Sequence, residues 1–268
     1  MNKVFGFIGC GNMGGALASA VAKSACDGKL LLCDDCAEKA TALATSIGAE
    51  VVDLATVATK ADYIFLGVKP QGFEGLFESL RPMLQARANV PVLVSMAAGV
   101  SIAAVEKLAG CACPVIRIMP NTPVAVGEGM ILYAHNELVT AEMLGEFCKA
   151  LSKAGVLDAI PEDKIDAASA LSGCGPAFVY LFAEALADGA VSCGLARDKA
   201  MLYAAQTLRG AAELLIASGK HPGELKDAVC SPGGTTIEGV KALENGAFRA
   251  SVMAAVTAAY EKTLKLKK

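Results

Sequence analysis

A short apolar run, Val4-Phe5-Gly6-Phe7-Ile8, leads without a break into Gly9-Cys10-Gly11-Asn12-Met13-Gly14. A strand that ends in G-x-G-x-x-G and opens a helix is the fingerprint of a dinucleotide-binding βαβ unit. Gly9 permits the tight turn off the strand. Gly11 lets the backbone approach a pyrophosphate, and Gly14 allows a helix over about residues 12 to 23 to lie against the sheet. Asn12 and Met13, between the last two glycines, belong to the same cofactor-binding loop. The alternative is an ordinary Gly-rich turn. Against it stands a second strand, Leu30-Leu31-Leu32-Cys33, that ends in Asp34, 25 residues beyond Gly9.

A carboxylate at that strand end can accept both ribose hydroxyls of NAD, and it opposes the extra phosphate of NADP with like charge. The nearest compensating cation is Lys39, one turn into the next helix. Asp34 therefore favours NADH. The other reading is that Asp34 or Asp35 caps the helix near residues 37 to 47.

Strand-like runs recur at Val51-Val52, Tyr63 to Val68, Val90 to Ser95 and Val115-Ile116-Arg117-Ile118-Met119, with helix-compatible sequence between them. Near-continuous apolar strands imply a parallel sheet covered on both faces, so the first part is α/β and doubly wound. Ligands of such sheets sit beyond the carboxyl ends of the strands. Val68-Lys69-Pro70, Ala97-Ala98-Gly99 and Asn121 of Met119-Pro120-Asn121-Thr122-Pro123 lie there. Their small residues leave room for a nicotinamide ring. Taken singly, Pro70 ends a strand, Lys69 is a solvated charge and Ala97 to Gly99 is a tight turn.

The chain has 268 residues, 54% hydrophobic and 19% charged, enough to bury a sizeable core. A net charge of −3 gives no basic field for nucleic acid or anionic lipid. The ten cysteines are scattered through apolar positions, as at Cys148 and Cys193, and read as small hydrophobes of a reducing compartment. Neither Cys33-Asp34-Asp35-Cys36 nor Cys111-Ala112-Cys113 sits in a Cys/His-rich knuckle, and the second pair is too tightly spaced for the usual zinc loop, so no metal is expected. Lys3 followed by the apolar run Val4 to Val21 imitates a secretory signal, but cleavage would remove the glycine loop. No other stretch reads as an uninterrupted membrane span, and a cytoplasmic protein without membrane partners is expected.

Near Ile160-Pro161-Glu162-Asp163 the pattern changes, placing a boundary between a dinucleotide-binding domain over 1–160 and a helical domain over 161–268. Phe178, Leu181, Phe182, Ala185 and Leu186 recur at helical spacing, as do Leu208, Ala212, Leu215 and Ile216. The opposite face of the first helix, with Tyr180, Ala183, Ala187 and Ala190, is weakly polar too. A helix over 176 to about 193 is thus expected to be buried on more than one side, by a partner subunit.

Within this half, Ser231-Pro232-Gly233-Gly234-Thr235-Thr236 interrupts the helices and exposes backbone N–H groups with little side chain in the way. That is how an anion site is built. Together with Gly6 to Gly14, Val68-Lys69-Pro70, Ser95 to Gly99, Met119 to Pro123, Leu171 to Ala177 and His221 to Asp227, this loop resembles pyrroline-5-carboxylate reductases over nearly the whole chain. The resemblance implies NAD(P)H-dependent reduction of 1-pyrroline-5-carboxylate to L-proline. It also implies a Rossmann domain followed by an all-α dimerisation domain, with homodimers that in some members assemble into decamers. Ser231, Gly233, Gly234, Thr235 and Thr236 would then cradle the substrate carboxylate, and Thr236 would hydrogen-bond the imine nitrogen, with Lys69 the second candidate donor. Helix capping is the other role open to Thr236. His135, in an exposed turn, and His221, in a turn into a helix, are not expected to be essential. Asp34-Asp35 departs from the small or basic residues with which many members take NADPH, so NADH is expected to serve at least as well. A related β-hydroxyacid dehydrogenase or imine reductase, or a non-catalytic NAD sensor, would lack a reason for the second anion loop.

Overall fold

The computed structural model of the chain describes residues 3–24 and 28–266. It divides into two compact units, the chain up to Cys174 together with residues from Ala259 onward, and Gly175–Ala258.

The first unit is built in the order β1 (Val4–Ile8), α1 (Asn12–Lys23), β2 (Lys29–Cys33), α2 (Ala37–Ile47), β3 (Glu50–Val51), α3 (Leu54–Lys60), β4 (Tyr63–Leu66), α4 (Phe73–Gln85), β5 (Val92–Ser95), α5 (Ile102–Ala109), β6 (Val115–Pro120), β7 (Gly129–His135), α6 (Ala141–Ala150), β8 (Gly155–Ala159) and α7 (Glu162–Ser172). Among the described residues these strands form one sheet of eight, in the order β3-β2-β1-β4-β5-β6-β7-β8. The strand order reverses between β1 and β4, and Ile8 lies in register with both Cys33 and Leu66. Gly9, Asp34 and Gly67 therefore leave the sheet side by side, at the switch point where such folds bind their ligands.

Every residue of β4 and β5 is buried, as in a sheet covered on both faces. On one face Phe5 stacks on Tyr63 at 5.2 Å and Phe7 on Phe65 at 4.4 Å. The other face sets Ile8, Leu31, Ile64, Leu66 and Leu93 against α3, α4 and α5. The helix expected over 12 to 23 is α1.

Beyond β6 the structure departs from the sequence reading. A 3-10 turn over Thr122–Val126 reverses the chain, and β7 returns antiparallel to β6, with Ile116 opposite His135. β8 then pairs parallel with β7. The sheet is thus mainly parallel, and His135 is the exposed last residue of a strand rather than part of a turn.

α7, placed in the helical half by the sequence, belongs to the sheet unit, because Asp166 forms a 2.7 Å ion pair with Arg117 of β6 and Ile165 is buried in the core.

The second unit consists of α8 (Gly175–Ser192), α9 (Arg197–Ser218), α10 (Pro222–Ala228), α11 (Thr235–Asn245) and the first part of α12 (Phe248–Leu266). Its buried core within one chain is Ala187, Ala200 and Ala204. Leu181, Leu202, Tyr203, Ile216 and Met253 stand exposed. Between α8, α11 and α12 runs an apolar trough of about 400 Å³ that includes Phe182, Leu186, Phe248 and Val252. Ala187 is the one residue of α8 buried in the single chain, so the expected burial on several sides is not met within it.

α7 and α8 together, Glu162–Ser192, are long and apolar enough to cross a membrane by length and composition, an 18-residue window within them having a mean hydropathy of 1.4. The sequence reading did not expect such a stretch, because it looked for an unbroken run. A bare apolar helix on one chain is matched by a subunit interface as well as by lipid.

Candidate functional site

The glycine loop shows what each glycine is for. A Cβ at Gly9, where φ is +98°, would lie 2.6 Å from the carbonyl oxygen of Gly67, and one at Gly14 would lie 2.1 Å from that of Gly9. Both positions exclude a side chain through the protein's own backbone. Gly11 differs. Its φ is an ordinary −67°, it is exposed, and a Cβ there would meet nothing within 4 Å. Packing gives no reason for glycine at this position, whereas close approach by a ligand does. Gly11 is also the N-cap of α1, without a side-chain cap and without an acid in the first turn. The first N–H groups of α1, from Asn12 and Met13 onward, are left for an anion. The residues present thus fit a dinucleotide pyrophosphate.

Gly67 was not singled out by the sequence reading. Its signal was a glycine near the end of the strand run Tyr63 to Val68, and only the crossing of two backbones makes it necessary.

Asp34 is fixed by the loop it serves. Its Oδ2 accepts the Cys10 N–H at 2.6 Å and its Oδ1 accepts the Cys36 N–H at 2.8 Å. Cys36 is the N-cap of α2 and α2 has no side-chain cap, so the contact from Cys36 to Asp34 closes the turn before the helix and does not cap it. Each carboxylate oxygen keeps acceptor capacity, so the same group can also serve a ribose. Asp35 is exposed beside it. Burial, with Asp34 and Cys33 adding to it, pushes the Cys10 thiol up to about 11.

β1, β2, β4, β5 and β6 run parallel, so the loops that follow them emerge at one end of the sheet. After β4, Val68 is half-buried, Lys69 is exposed and Pro70 opens a 3-10 turn. After β5, Ala97 is buried and Ala98 exposed, and the Val100 N–H returns to the Ala97 carbonyl, the tight turn that the simpler reading allowed. After β6, Asn121 is engaged at both ends of its amide. Nδ2 donates to the Ser172 carbonyl and Oδ1 accepts the Met130 N–H, each at 2.9 Å. A cofactor contact through this side chain would have to share those bonds.

Arg117 was also missed. One arginine inside an apolar strand was the only sign in the sequence, and its partners Glu162 and Asp166 lie 45 and 49 residues away.

In the helical unit, Gly233 takes φ +66°, which turns the chain into α11. α11 has Gly234 as N-cap and no side-chain cap. The capping role considered for Thr236 therefore falls away: Thr235 and Thr236 are the first two helical residues, both exposed. The Gly234 N–H already donates to the Ser231 carbonyl at 3.0 Å, so Gly234 shapes the loop and the free donors begin at Thr235. His221 is the N-cap of α10, its Nδ1 accepting the Gly223 N–H at 3.1 Å.

Residues 162–266 match the family described as "Pyrroline-5-carboxylate reductase dimerisation". Residues 4–99 match the one described as "NADP oxidoreductase coenzyme F420-dependent". The chain is 40% identical over 272 residues to the pyrroline-5-carboxylate reductase of Escherichia coli (strain K12), covering 100% of both. It is similar to the crystal structure of Plasmodium falciparum pyrroline carboxylate reductase with NADP bound, at a TM-score of 0.89 and 32% identity over 100% of this chain and 99% of that one. A pyrroline-5-carboxylate reductase structure from Coxiella burnetii gives a TM-score of 0.90 and 31% identity over 100% of each chain.

Proposed function

The chain belongs to the pyrroline-5-carboxylate reductase family and reduces 1-pyrroline-5-carboxylate to L-proline with NAD(P)H; from that premise we propose which of its residues carry the reaction. Gly9, Gly11, Asn12, Met13 and Gly14 hold the pyrophosphate, and Asp34 receives the ribose hydroxyls. Val68, Lys69, Pro70, Ala97, Ala98 and Gly99 border the nicotinamide. Ser231, Gly233, Gly234, Thr235 and Thr236 form the cradle for the substrate carboxylate.

One observation carries the substrate side. α11 starts from an uncapped glycine, so its first N–H groups face outward at the positive end of the helix. A carboxylate satisfies them without needing a flexible cation.

Bound in the crevice, the reduced nicotinamide supplies a hydride to the imine carbon. The protein must present the imine nitrogen protonated, or deliver a proton as the amine forms. Thr236 is the first choice for this role, because it shares a turn with the carboxylate cradle. Its hydroxyl is a poor acid, so it orients the ring nitrogen or relays a proton from water. Lys69 is the second candidate donor.

NADH serves at least as well as NADPH, since Asp34 cannot swing away from a 2′-phosphate without releasing two backbone N–H groups. The helical unit pairs with a second copy of the chain, and such dimers can build decamers. The enzyme works in the cytoplasm.

The test is loss of absorbance at the reduced-nicotinamide band with 1-pyrroline-5-carboxylate, run in parallel with NADH and NADPH. Oxidation that requires the imine is expected, at least as fast with NADH, and Asp34→Ser should move the ratio at least about tenfold toward NADPH. An unchanged ratio would remove Asp34 from cofactor choice. Absence of oxidation, from protein shown to bind either cofactor, would end the reductase assignment.

A further inference from the structure

α7 is fastened along its whole length. At its start, Glu162 Oε1 accepts from Arg117 at 3.1 Å and from the Ile102 N–H at 2.8 Å. In its middle, Asp166 takes the other arm of the Arg117 guanidinium at 2.7 Å, both side chains almost wholly buried. At its end, the Ser172 carbonyl accepts from Asn121 Nδ2. Ile102 begins α5 and closes the loop that carries Ala97, Ala98 and Gly99. Asn121 begins the loop after β6. Two of the loops at the cofactor crevice are therefore tied to the same helix.

Stability alone does not explain these groups, because apolar side chains of similar size commonly hold a buried helix as well as a buried ion pair does. What a guanidinium fork and an amide add is direction, since each bond holds only within a narrow range of angles. Direction matters here because one of the two tied loops carries Ala97, Ala98 and Gly99, the residues proposed to border the nicotinamide. Hydride transfer needs donor and acceptor carbons about 3 to 3.5 Å apart, and a displacement of about 1 Å can cost about a hundredfold in rate.

We propose that Arg117, Glu162, Asp166 and Asn121 are positioning residues for the reductase, a clasp that sets α7 against the crevice loops and so governs hydride transfer without touching cofactor or substrate. The proposal rests on the reductase reading above. It departs from the sequence expectation for Asn121, whose side chain here holds the end of α7.

The experiment measures kcat and KM for the imine, together with the dissociation constant for NADH from bound-nicotinamide fluorescence, on the full chain and on variants whose folding is checked by circular dichroism. Glu162→Ala and Asn121→Ala should each lower kcat at least about tenfold while the NADH constant stays within about threefold. Glu162→Gln, which keeps an acceptor for the Ile102 N–H, should recover most of kcat. If a single variant fails to fold, the double variant Arg117→Met with Asp166→Met removes the buried pair and leaves only the partly exposed Glu162 without its cation, and it should show the same loss of kcat. Unchanged kcat in folded variants, or a loss matched by an equal loss of NADH affinity, overturns the clasp. A parent chain that binds NADH and leaves the imine untouched overturns the reductase reading, and the clasp with it.

Discussion

Gly11 and Gly14 stand three residues apart in one loop and answer to different demands. Alanine at Gly14 would drive its Cβ into the Gly9 carbonyl, so Gly14→Ala should destabilise the fold by about 1–3 kcal/mol and abolish cofactor binding. Alanine at Gly11 meets open space. Gly11→Ala should leave the unfolding free energy within about 0.5 kcal/mol of the parent yet raise the NADH dissociation constant at least about tenfold. Thermal melts and fluorescence titration of the two variants separate the demands. Cys10 makes a further prediction. An unfolded thiol ionises near its ordinary 9.0, whereas burial first, then Asp34, holds the folded one protonated to about 11. The folded state keeps a proton that the unfolded chain has lost, so stability falls as pH rises from about 9 toward 11. Cys10→Ala should flatten that alkaline limb in a series of melts. At this scale the glycine loop was legible because its spacing is local. Gly67 and Arg117 were not, because each is explained by a neighbour on another strand or helix.

Among elements, α11 offers the sharpest contrast between stability and binding. Thr235 is its first residue, and an acid there meets the positive end of the helix dipole, a gain of about 0.3–1 kcal/mol. The same carboxylate would occupy the donors proposed for the substrate. Thr235→Asp should therefore hold or raise the melting temperature while raising KM for the imine at least about tenfold. A variant with unaltered KM would move the substrate away from this helix. The elements α1, α2 and β4 to β6 were readable in the sequence because helical and strand periods differ and Gly or Pro separates them. β7 and β8 were not. Their place in the sheet depends on a chain reversal at Thr122–Val126 and on pairing with strands already formed, and neither leaves a local period.

At the scale of the whole molecule, the helical unit decides the state of assembly. Leu181 is 68% exposed and borders the apolar trough, yet the residues from 162 onward match a dimerisation family. The chain should sediment as a dimer or larger at micromolar concentration, with a melting temperature that rises with protein concentration. Leu181→Glu should dissociate it and lower that temperature, and a variant that stays assembled would place the interface elsewhere. The sequence by itself determined the α/β start, the glycine loop after β1, the helical character of the second half and the break in its helices at Ser231 to Gly234, because each is written in neighbouring residues through spacing, turn chemistry and hydrophobic period. The tertiary structure alone decided that α7 belongs with the sheet, that Asp34 braces the glycine loop, that Asn121 holds Ser172 and that Arg117 has buried acidic partners. Those facts depend on which distant groups become neighbours, and a buried charge or amide finds its partner only when the chain has closed around it.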